Sequence, residues 1–334
     1  MIVELSKVQI HPTHRCNLNC IFCDVPERSV GRTDLEESEW VKVVEGLCKL
    51  NPKMVTISGG GEPLLRANLL IKIMKILHSS NIGIELITNG TMVSDELAKT
   101  ITECCNHYRL SLHASTKEMD GLLRGVRGSI DSSFDGIKKI VRWKKQMKSE
   151  MPKIDIAMVL TQFNINEIEK MIEKAPSLGV NMVSLRIVHK CGEKYRPSDE
   201  QMNFLKNNLK KYETLAAESN LELQYDFLLE DVFSTPGTKG GKSELKEGVL
   251  CTLPFREMVV FADGRVAPCC NFIVEYDDFM SLDSIRNRPI DKIWFGKRFE
   301  SLRERMFKRG GNQLPEICKK CSLDLKPIDL AYKS

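Results

Sequence analysis

Three cysteines, Cys16, Cys20 and Cys23, stand at C-x3-C-x2-C spacing in the run His14-Arg15-Cys16-Asn17-Leu18-Asn19-Cys20-Ile21-Phe22-Cys23. Three thiolates on so short a loop can hold three corners of a cubane iron–sulfur cluster and leave its fourth iron without a protein ligand. Ordinary electron-transfer clusters use four Cys, so an open iron points to a bound substrate or cofactor. The same thiols would also suit zinc, with His11 or His14 as fourth ligand. Further along, Ile57-Ser58-Gly59-Gly60-Gly61-Glu62-Pro63-Leu64 sets three glycines and a carboxylate after an apolar run. Glycines in such a place let the backbone approach a ligand closely. No Lys-Ser/Thr follows them as in a phosphate loop, and the G-x-G-x-x-G spacing of dinucleotide folds is missing. A second cysteine group lies near the other end. Cys251 and Cys269 frame C-x12-G-x4-C around Gly264, and Cys318 and Cys321 form C-x2-C. Four Cys would close a cluster completely, or pin a zinc ribbon; Cys270, beside Cys269, is a rival ligand.

The elements that must position these groups follow from hydrophobic pattern. Apolar, β-rich runs at 8–11, 54–58, 82–88, 108–113, 154–161 and 182–188 alternate with amphipathic stretches at 37–50, 68–79, 95–105, 133–148 and 166–178. Regular βα alternation implies an α/β fold with a parallel sheet and right-handed crossovers. Six such strands imply a partial (β/α)6 barrel of the TIM type, with its chemistry at the C-terminal strand ends. Both motif loops fall there. A further helix is expected near 198–219. Residues 234–248, rich in Gly, Ser, Thr and Lys, have the composition of a loop. Residues 258–267 have that of a hairpin turning at Ala262-Asp263-Gly264, and a helix is expected at 297–307. The chain is accordingly divided into a barrel at 1–220 and a small metal-pinned domain at 221–334.

The cysteine loop after a first strand, with the aromatic Phe22 directly before the third Cys, and the Gly-Gly-Gly-Glu-Pro turn one βα unit later resemble the signatures of the radical S-adenosylmethionine (SAM) superfamily. The C-terminal cysteines are similar to the SPASM and twitch auxiliary-cluster domains that follow many radical SAM cores. With no Cys after Cys321 in this sequence, the region looks like the shortened, twitch-type version. The resemblance implies SAM and two [4Fe–4S] clusters, the first on Cys16, Cys20 and Cys23, the second on Cys251, Cys269, Cys318 and Cys321. In the family, the open iron chelates SAM and an electron from the cluster cleaves the sulfonium bond. The resulting 5′-deoxyadenosyl radical takes a hydrogen atom from an unactivated carbon. By the same resemblance, SAM is expected against Phe22, Gly60, Gly61, Glu62, Pro63 and Asn89. Ser111 would meet the ribose, and Arg124 and Arg127 would approach the carboxylate. Arg186, in the sixth strand, would line the barrel, and His113 stands where many relatives carry Asp. Cys191 is the candidate catalytic residue. A thiol in its loop could return a hydrogen atom to a substrate radical, as in epimerases of this superfamily, and His189 and Lys190 could lower its pKa.

This points to an oxidoreductase-type enzyme. The expected course is hydrogen abstraction from a small polar substrate, sugar- or aminocyclitol-like, then dehydrogenation through the auxiliary cluster. Epimerisation of a sugar or peptide through Cys191, and crosslinking of a peptide, are the alternatives. A first strand beginning near residue 8 leaves no room for a leader-binding module, which weighs against a peptide. A zinc-stabilised binding protein would leave Gly-Gly-Gly-Glu-Pro unexplained. The electron donor would be a flavodoxin or ferredoxin. The small net charge of +4, with basic residues dispersed, argues against nucleic acid. No apolar run reaches the ~18 residues of a membrane span, and the N-terminus does not read as a signal peptide. A cytoplasmic location is expected, where thiols stay reduced, so twelve cysteines speak for metal before disulfides. Cys48, Cys104 and Cys105, on helical stretches, are expected to be buried small hydrophobes.

Overall fold

Along the first six strands, alternate residues are apolar and fully buried, among them Val8 and Ile10, Val55 and Ile57, Ile84 and Leu86, and Tyr108 and Leu110. They form one core with the apolar stripes of the helices, such as Trp40, Val44 and Leu47 or Leu70, Ile73 and Leu77. The computed structural model describes residues 3–23, 31–188, 190–225, 249–269, 283–307, 318 and 325–327. Within them, βα units succeed one another: β1 (Lys7–Ile10), α1 (Glu37–Leu50), β2 (Met54–Ile57), α2 (Ala67–Ser79), β3 (Gly83–Thr88), α3 (Asp95–Cys104) and β4 (His107–Ser111). Next come α4 (Lys117–Arg124), α5 (Ser129–Met147), β5 (Lys153–Leu160), α6 (Ile168–Lys174), β6 (Met182–Ile187), α7 (Asp199–Glu218) and β7 (Glu222–Tyr225). Strands β1 to β7 are neighbours in sequence order and pair in parallel.

The α/β barrel-type sheet is as expected apart from a seventh parallel strand, β7, beyond the six foreseen, and three further differences. Helix α4 was not foreseen, and α5 starts at Ser129 rather than 133. The stretch 166–178 is broken: α6 gives way to a 3-10 turn at Ala175–Leu178, where Pro176 has no N–H to continue the helix. The third difference is larger. After β8 (Val249–Cys251) and α8 (Leu253–Arg256), the hairpin of β9 (Glu257–Val260) and β10 (Arg265–Ala267) joins the barrel sheet itself. Strand β9 lies parallel to β1, with Lys7 opposite Glu257 and Ile10 opposite Val260. The short β11 (Asp283–Ser284) completes a ten-stranded sheet. Helices α9 (Ile290–Trp294) and α10 (Lys297–Phe307) follow, and β12 (Leu325–Pro327) pairs with β8. No helix among the described residues is long and apolar enough to cross a membrane.

The opposite face of the strands, the lumen side in a barrel of this type, is polar. Lys7 Nζ lies 3.6 Å from Glu85 Oε2, and Arg109 Nη1 lies 3.2 Å from Glu85 Oε1. The Thr56 hydroxyl donates to Glu85 at 2.8 Å, Arg109 Nε to Asp155 at 2.6 Å, and the Ser184 hydroxyl to Asp155 at 2.9 Å. A ladder of two cations, two carboxylates and two hydroxyls thus crosses from β1 to β6, each carboxylate paired and hydrogen-bonded as burial requires.

Burial pushes the Glu85 carboxyl up, but Arg109 and Lys7, with the Thr56 hydroxyl, outweigh it and hold it below the ordinary value. A carboxyl held low stabilises the fold fully above its unfolded-state pKa, about 4.3. That contribution is lost as pH falls through the folded value. Glu85→Gln is therefore expected to lower Tm at neutral pH and to flatten the acid arm of Tm against pH. Melting curves taken between about pH 6 and pH 3 check this; a variant that loses Tm with acid as steeply as the parent would remove Glu85 from the response.

Candidate functional site

The cysteine loop leaves β1 and is fixed by backbone ties on both sides. The Thr13 hydroxyl and His14 N donate to the Asp34 carboxylate at 2.6 and 3.0 Å. Asn19 N donates to Arg124 O and Ile21 N to Leu123 O, both at 3.0 Å. These acceptors are carbonyls that the end of α4 leaves unpaired. Gly125, at φ +69°, follows; a Cβ there would stand 2.5 Å from Asn19 O, so the helix end and the loop can meet only through a glycine. The glycine turn after β2 meets the loop in the same way. Gly61 N donates to Thr13 O and Glu62 N to Arg15 O, and a Cβ on Gly61 would stand 2.0 Å from Arg15 O. Gly60 faces His14, whose Nδ1 lies 3.2 Å from where its Cβ would be.

Glu62 is buried and caps the 3-10 turn Pro63–Arg66, which opens on the buried Pro63. Its carboxylate accepts from Leu64 N at 2.9 Å, the Thr88 hydroxyl at 2.6 Å and Asn89 N at 2.8 Å. Burial nonetheless pushes its pKa up. Asn89, at the tip of β3, reaches the cysteine loop through Nδ2, which donates to Asn17 Oδ1 at 2.9 Å. Arg124 is fully buried. Its Nη2 donates to Asn89 O at 2.7 Å and Ser111 O at 2.6 Å, and its Nη1 to the Ser133 hydroxyl at 2.9 Å. Asp120 lies 3.5 Å away as counter-ion. Arg124 thus ties the tips of β3 and β4 together; of its guanidinium nitrogens, Nε alone lacks a hydrogen-bond partner.

Ser111 is half-buried at the end of β4, and Arg127 is exposed. Arg186 is exposed on β6 beside a cavity of about 370 Å3 that Ser184, Gln224 and Tyr225 also line. Phe22 packs edge-on against His113, ring centres 5.0 Å apart. Burial, then the nearby Arg124 charge, push His113 down to about 3. The ring is therefore neutral, and its Nδ1 accepts from Val159 N at 3.1 Å. Cys191 lies in the 3-10 turn Lys190–Tyr195; its side chain, like His189, lies outside the described residues. Its neighbour Gly192 does reach the site: a Cβ there would stand 2.9 Å from Phe22 Cβ.

Cys16 and Cys23 are exposed and Cys20 is half-buried. Burial pushes the Cys20 thiol up to about 12, and Cys23 and Cys16 add to the shift, so the three sulfurs bear on one another. Among the described residues, no three His, Cys, Asp or Glu side chains are grouped closely enough to hold a metal ion. Of the C-terminal cysteines, Cys251, Cys269 and Cys318 gather round one apolar cluster of Leu253, Val259, Phe261 and Ala267. Cys270 and Cys321 lie outside the described residues. Cys104 and Cys105 are buried and Cys48 is half-buried against the core, in keeping with packing roles.

The sequence matches the model of the Radical SAM superfamily over residues 10–175 and that of SPASM, an iron–sulfur cluster-binding domain, over residues 251–322. The chain belongs to the radical SAM superfamily. It is 23% identical over 320 residues to a PqqA peptide cyclase of Ruegeria pomeroyi, covering 92% of this chain and 77% of that one. Among solved structures it is similar to SuiB of Streptococcus suis bound to S-adenosylmethionine, with TM-score 0.69, 17% identity, and 96% of this chain and 72% of that one covered. It is likewise similar to anSMEcpe with bound AdoMet, with TM-score 0.65, 19% identity, and 95% and 86% covered.

As a radical SAM chain it takes SAM and a [4Fe–4S] cluster, with further iron–sulfur in its SPASM region. The residues present fit these groups. Three thiols stand at the mouth of the sheet beside a backbone cradle of glycines, and three more share one apolar cluster of the C-terminal region. Sequence reasoning missed Thr13, Asn17, Asp34 and Thr88, short side chains in loops or at a strand end, and Ser133 in the second turn of α5, which together tie these loops. Arg124→Lys keeps the charge opposite Asp120 but loses hydrogen bonds, and is expected to cost about 1–3 kcal/mol of stability, the range for leaving buried polar groups unsatisfied. A lysine has no planar fork to reach Asn89 O, Ser111 O and Ser133 together. Urea unfolding of parent and variant measures it; a loss within experimental scatter would show that the ties at the strand tips are dispensable.

Proposed function

We propose that this radical SAM chain takes a hydrogen atom from a C–H bond of a polar substrate held on the inner face of the sheet, and oxidises it through the C-terminal cluster. The observation that carries the reading is the division of the strands into two faces. Toward the helices they are apolar, while toward the lumen Gln9, Ser58, Ser111 and Arg186 offer hydrogen-bonding groups next to the cysteine loop. A polar substrate can exchange hydrogen bonds with such side chains, and an apolar one cannot. When bound, SAM and the N-terminal cluster supply the radical that removes hydrogen, and the C-terminal cluster accepts the electron left behind. The chain's own part is to hold and exclude. Cys16, Cys20 and Cys23 would ligate the first cluster, and Cys251, Cys269, Cys318 and Cys321 the second. The glycine turn would receive the amino end of SAM, and Ser111 its ribose.

Crosslinking of a peptide is supported by the likeness to the PqqA peptide cyclase, which extends over 92% of this chain. Return of a hydrogen atom by Cys191, giving epimerisation, is supported by the contact of its neighbour Gly192 with Phe22. Product analysis separates the three: loss of two hydrogens from a small polar substrate, the same loss within a peptide, or no change of mass with inverted configuration.

Anaerobically reconstituted protein is expected to hold about eight irons per chain, as two cubane clusters require, and to form 5′-deoxyadenosine from SAM and dithionite. Cys16→Ala should lower the iron to about four per chain and abolish 5′-deoxyadenosine; persistent cleavage would mean that the three thiols are not the SAM-binding cluster site. Cys318→Ala should keep some SAM cleavage but lose product. Unchanged product formation in that variant would take the C-terminal cluster out of the reaction.

A further inference from the structure

The hairpin of β9 and β10 turns at Asp263-Gly264, with Gly264 at φ +89°. The turn does not point into solvent. Leu35 N donates to Ala262 O at 2.6 Å, and Phe261 packs edge-on against His11, ring centres 5.4 Å apart. Asp263 therefore arrives beside the start of the cysteine loop. Its carboxylate takes Arg265 Nε at 2.8 Å and Arg32 Nη1 at 3.1 Å, and its Oδ2 lies 3.8 Å from His14 Nε2. That His14 nitrogen is buried and has no hydrogen-bond partner. The other ring nitrogen of His14 faces Gly60, 3.2 Å from the position a Cβ would take. One imidazole thus stands between a carboxylate of the C-terminal unit and the glycine turn. A carboxylate 3.8 Å from one ring nitrogen attracts its N–H and favours the ring orientation that keeps the two close.

We propose that Asp263 and His14 are a positioning pair, through which the C-terminal hairpin holds the glycine turn in the conformation that receives SAM. The inference rests on the proposed function for the identity of the ligand. It adds that the SAM subsite is completed by a residue outside the barrel. Asp263 acts through His14, and His14 acts through the ring that stands against the open side of Gly60.

The test uses the reconstituted holoenzyme and SAM itself. SAM binding is measured by equilibrium dialysis, and the electron paramagnetic resonance signal of the dithionite-reduced N-terminal cluster is followed as SAM is added. Asp263→Asn keeps an oxygen for Arg265 N but removes the charge beside His14. It is expected to weaken SAM binding about tenfold, the scale on which outer partners of a bound group act. Iron per chain should stay unchanged, and the SAM-induced spectral change should move to higher SAM. His14→Gln should do the same, and the double variant should lose no more than either single one, since one interaction is removed once. Arg265→Gln breaks the hairpin's own ion pair and is expected to lower Tm while leaving SAM binding within about twofold. Unaltered SAM binding in Asp263→Asn, or an equal loss in Arg265→Gln, would overturn the positioning role. A parent protein that binds no SAM would instead overturn the proposed function, and the inference with it.

Discussion

The backbone at the tip of β3 must be satisfied without a further strand to pair with, and this requirement organises the site. A parallel sheet leaves peptide groups unpaired where its strands end, and buried ones have to find partners. Here a carboxyl, a guanidinium and a hydroxyl supply them. Asn89 N donates to Glu62, and Asn89 O accepts from Arg124 and from the Ser133 hydroxyl. The Asn89 side chain then reaches Asn17 in the cysteine loop. Glu62 leans from the glycine turn and Arg124 from the end of α4, so one asparagine is held from three loops at once. Charged hydrogen bonds of this kind are short and directional, and in a buried site each is expensive to break. The loops that carry the chemistry are therefore set by the same bonds that close the top of the sheet.

Glu62 and Arg124 were both found in the sequence, but through the resemblance and as SAM contacts. Their fully buried bracing could not be read from spacing, because their partners are main-chain atoms and short side chains far away in sequence. The strands and most helices were legible because they obey a local period. Alternation marks β1 to β6, and a recurring apolar stripe marks α1 and α10 at their observed ends. Helix α4 was missed because eight residues give too few turns for a period to show. Strand β7 was missed for its brevity and mixed polarity. The polar ladder from Lys7 to Ser184 carried a signal that went unused. Thr56, Glu85, Arg109, Asp155 and Ser184 each interrupt an apolar run at the alternate position, where an ordinary barrel filling would be Val, Ile or Leu.

Least legible was the placement of the C-terminal hairpin. Nothing local distinguishes a strand that pairs within its own small domain from one that pairs with a strand some 250 residues earlier, because register with a distant partner is a tertiary fact. Yet that pairing gives the chain its functional geometry. With β9 beside β1, the strand that leads into Cys16, Cys20 and Cys23 and the strand that precedes Cys269 are neighbours in one sheet. His11 N donates to Val260 O, continuing the ladder beyond the last paired residues. The two cysteine groups are thus joined by a short parallel ladder and its side-chain contacts, where a flexible linker would leave their separation free. Adjacent hydrogen-bonded strands hold the two groups at a set separation, at the cost of a long loop closure, which grows only slowly with length. Joining strands in one sheet fixes the relation of the two cysteine groups more firmly than packing two finished domains together would, since domain interfaces within a chain move unless they are large and apolar.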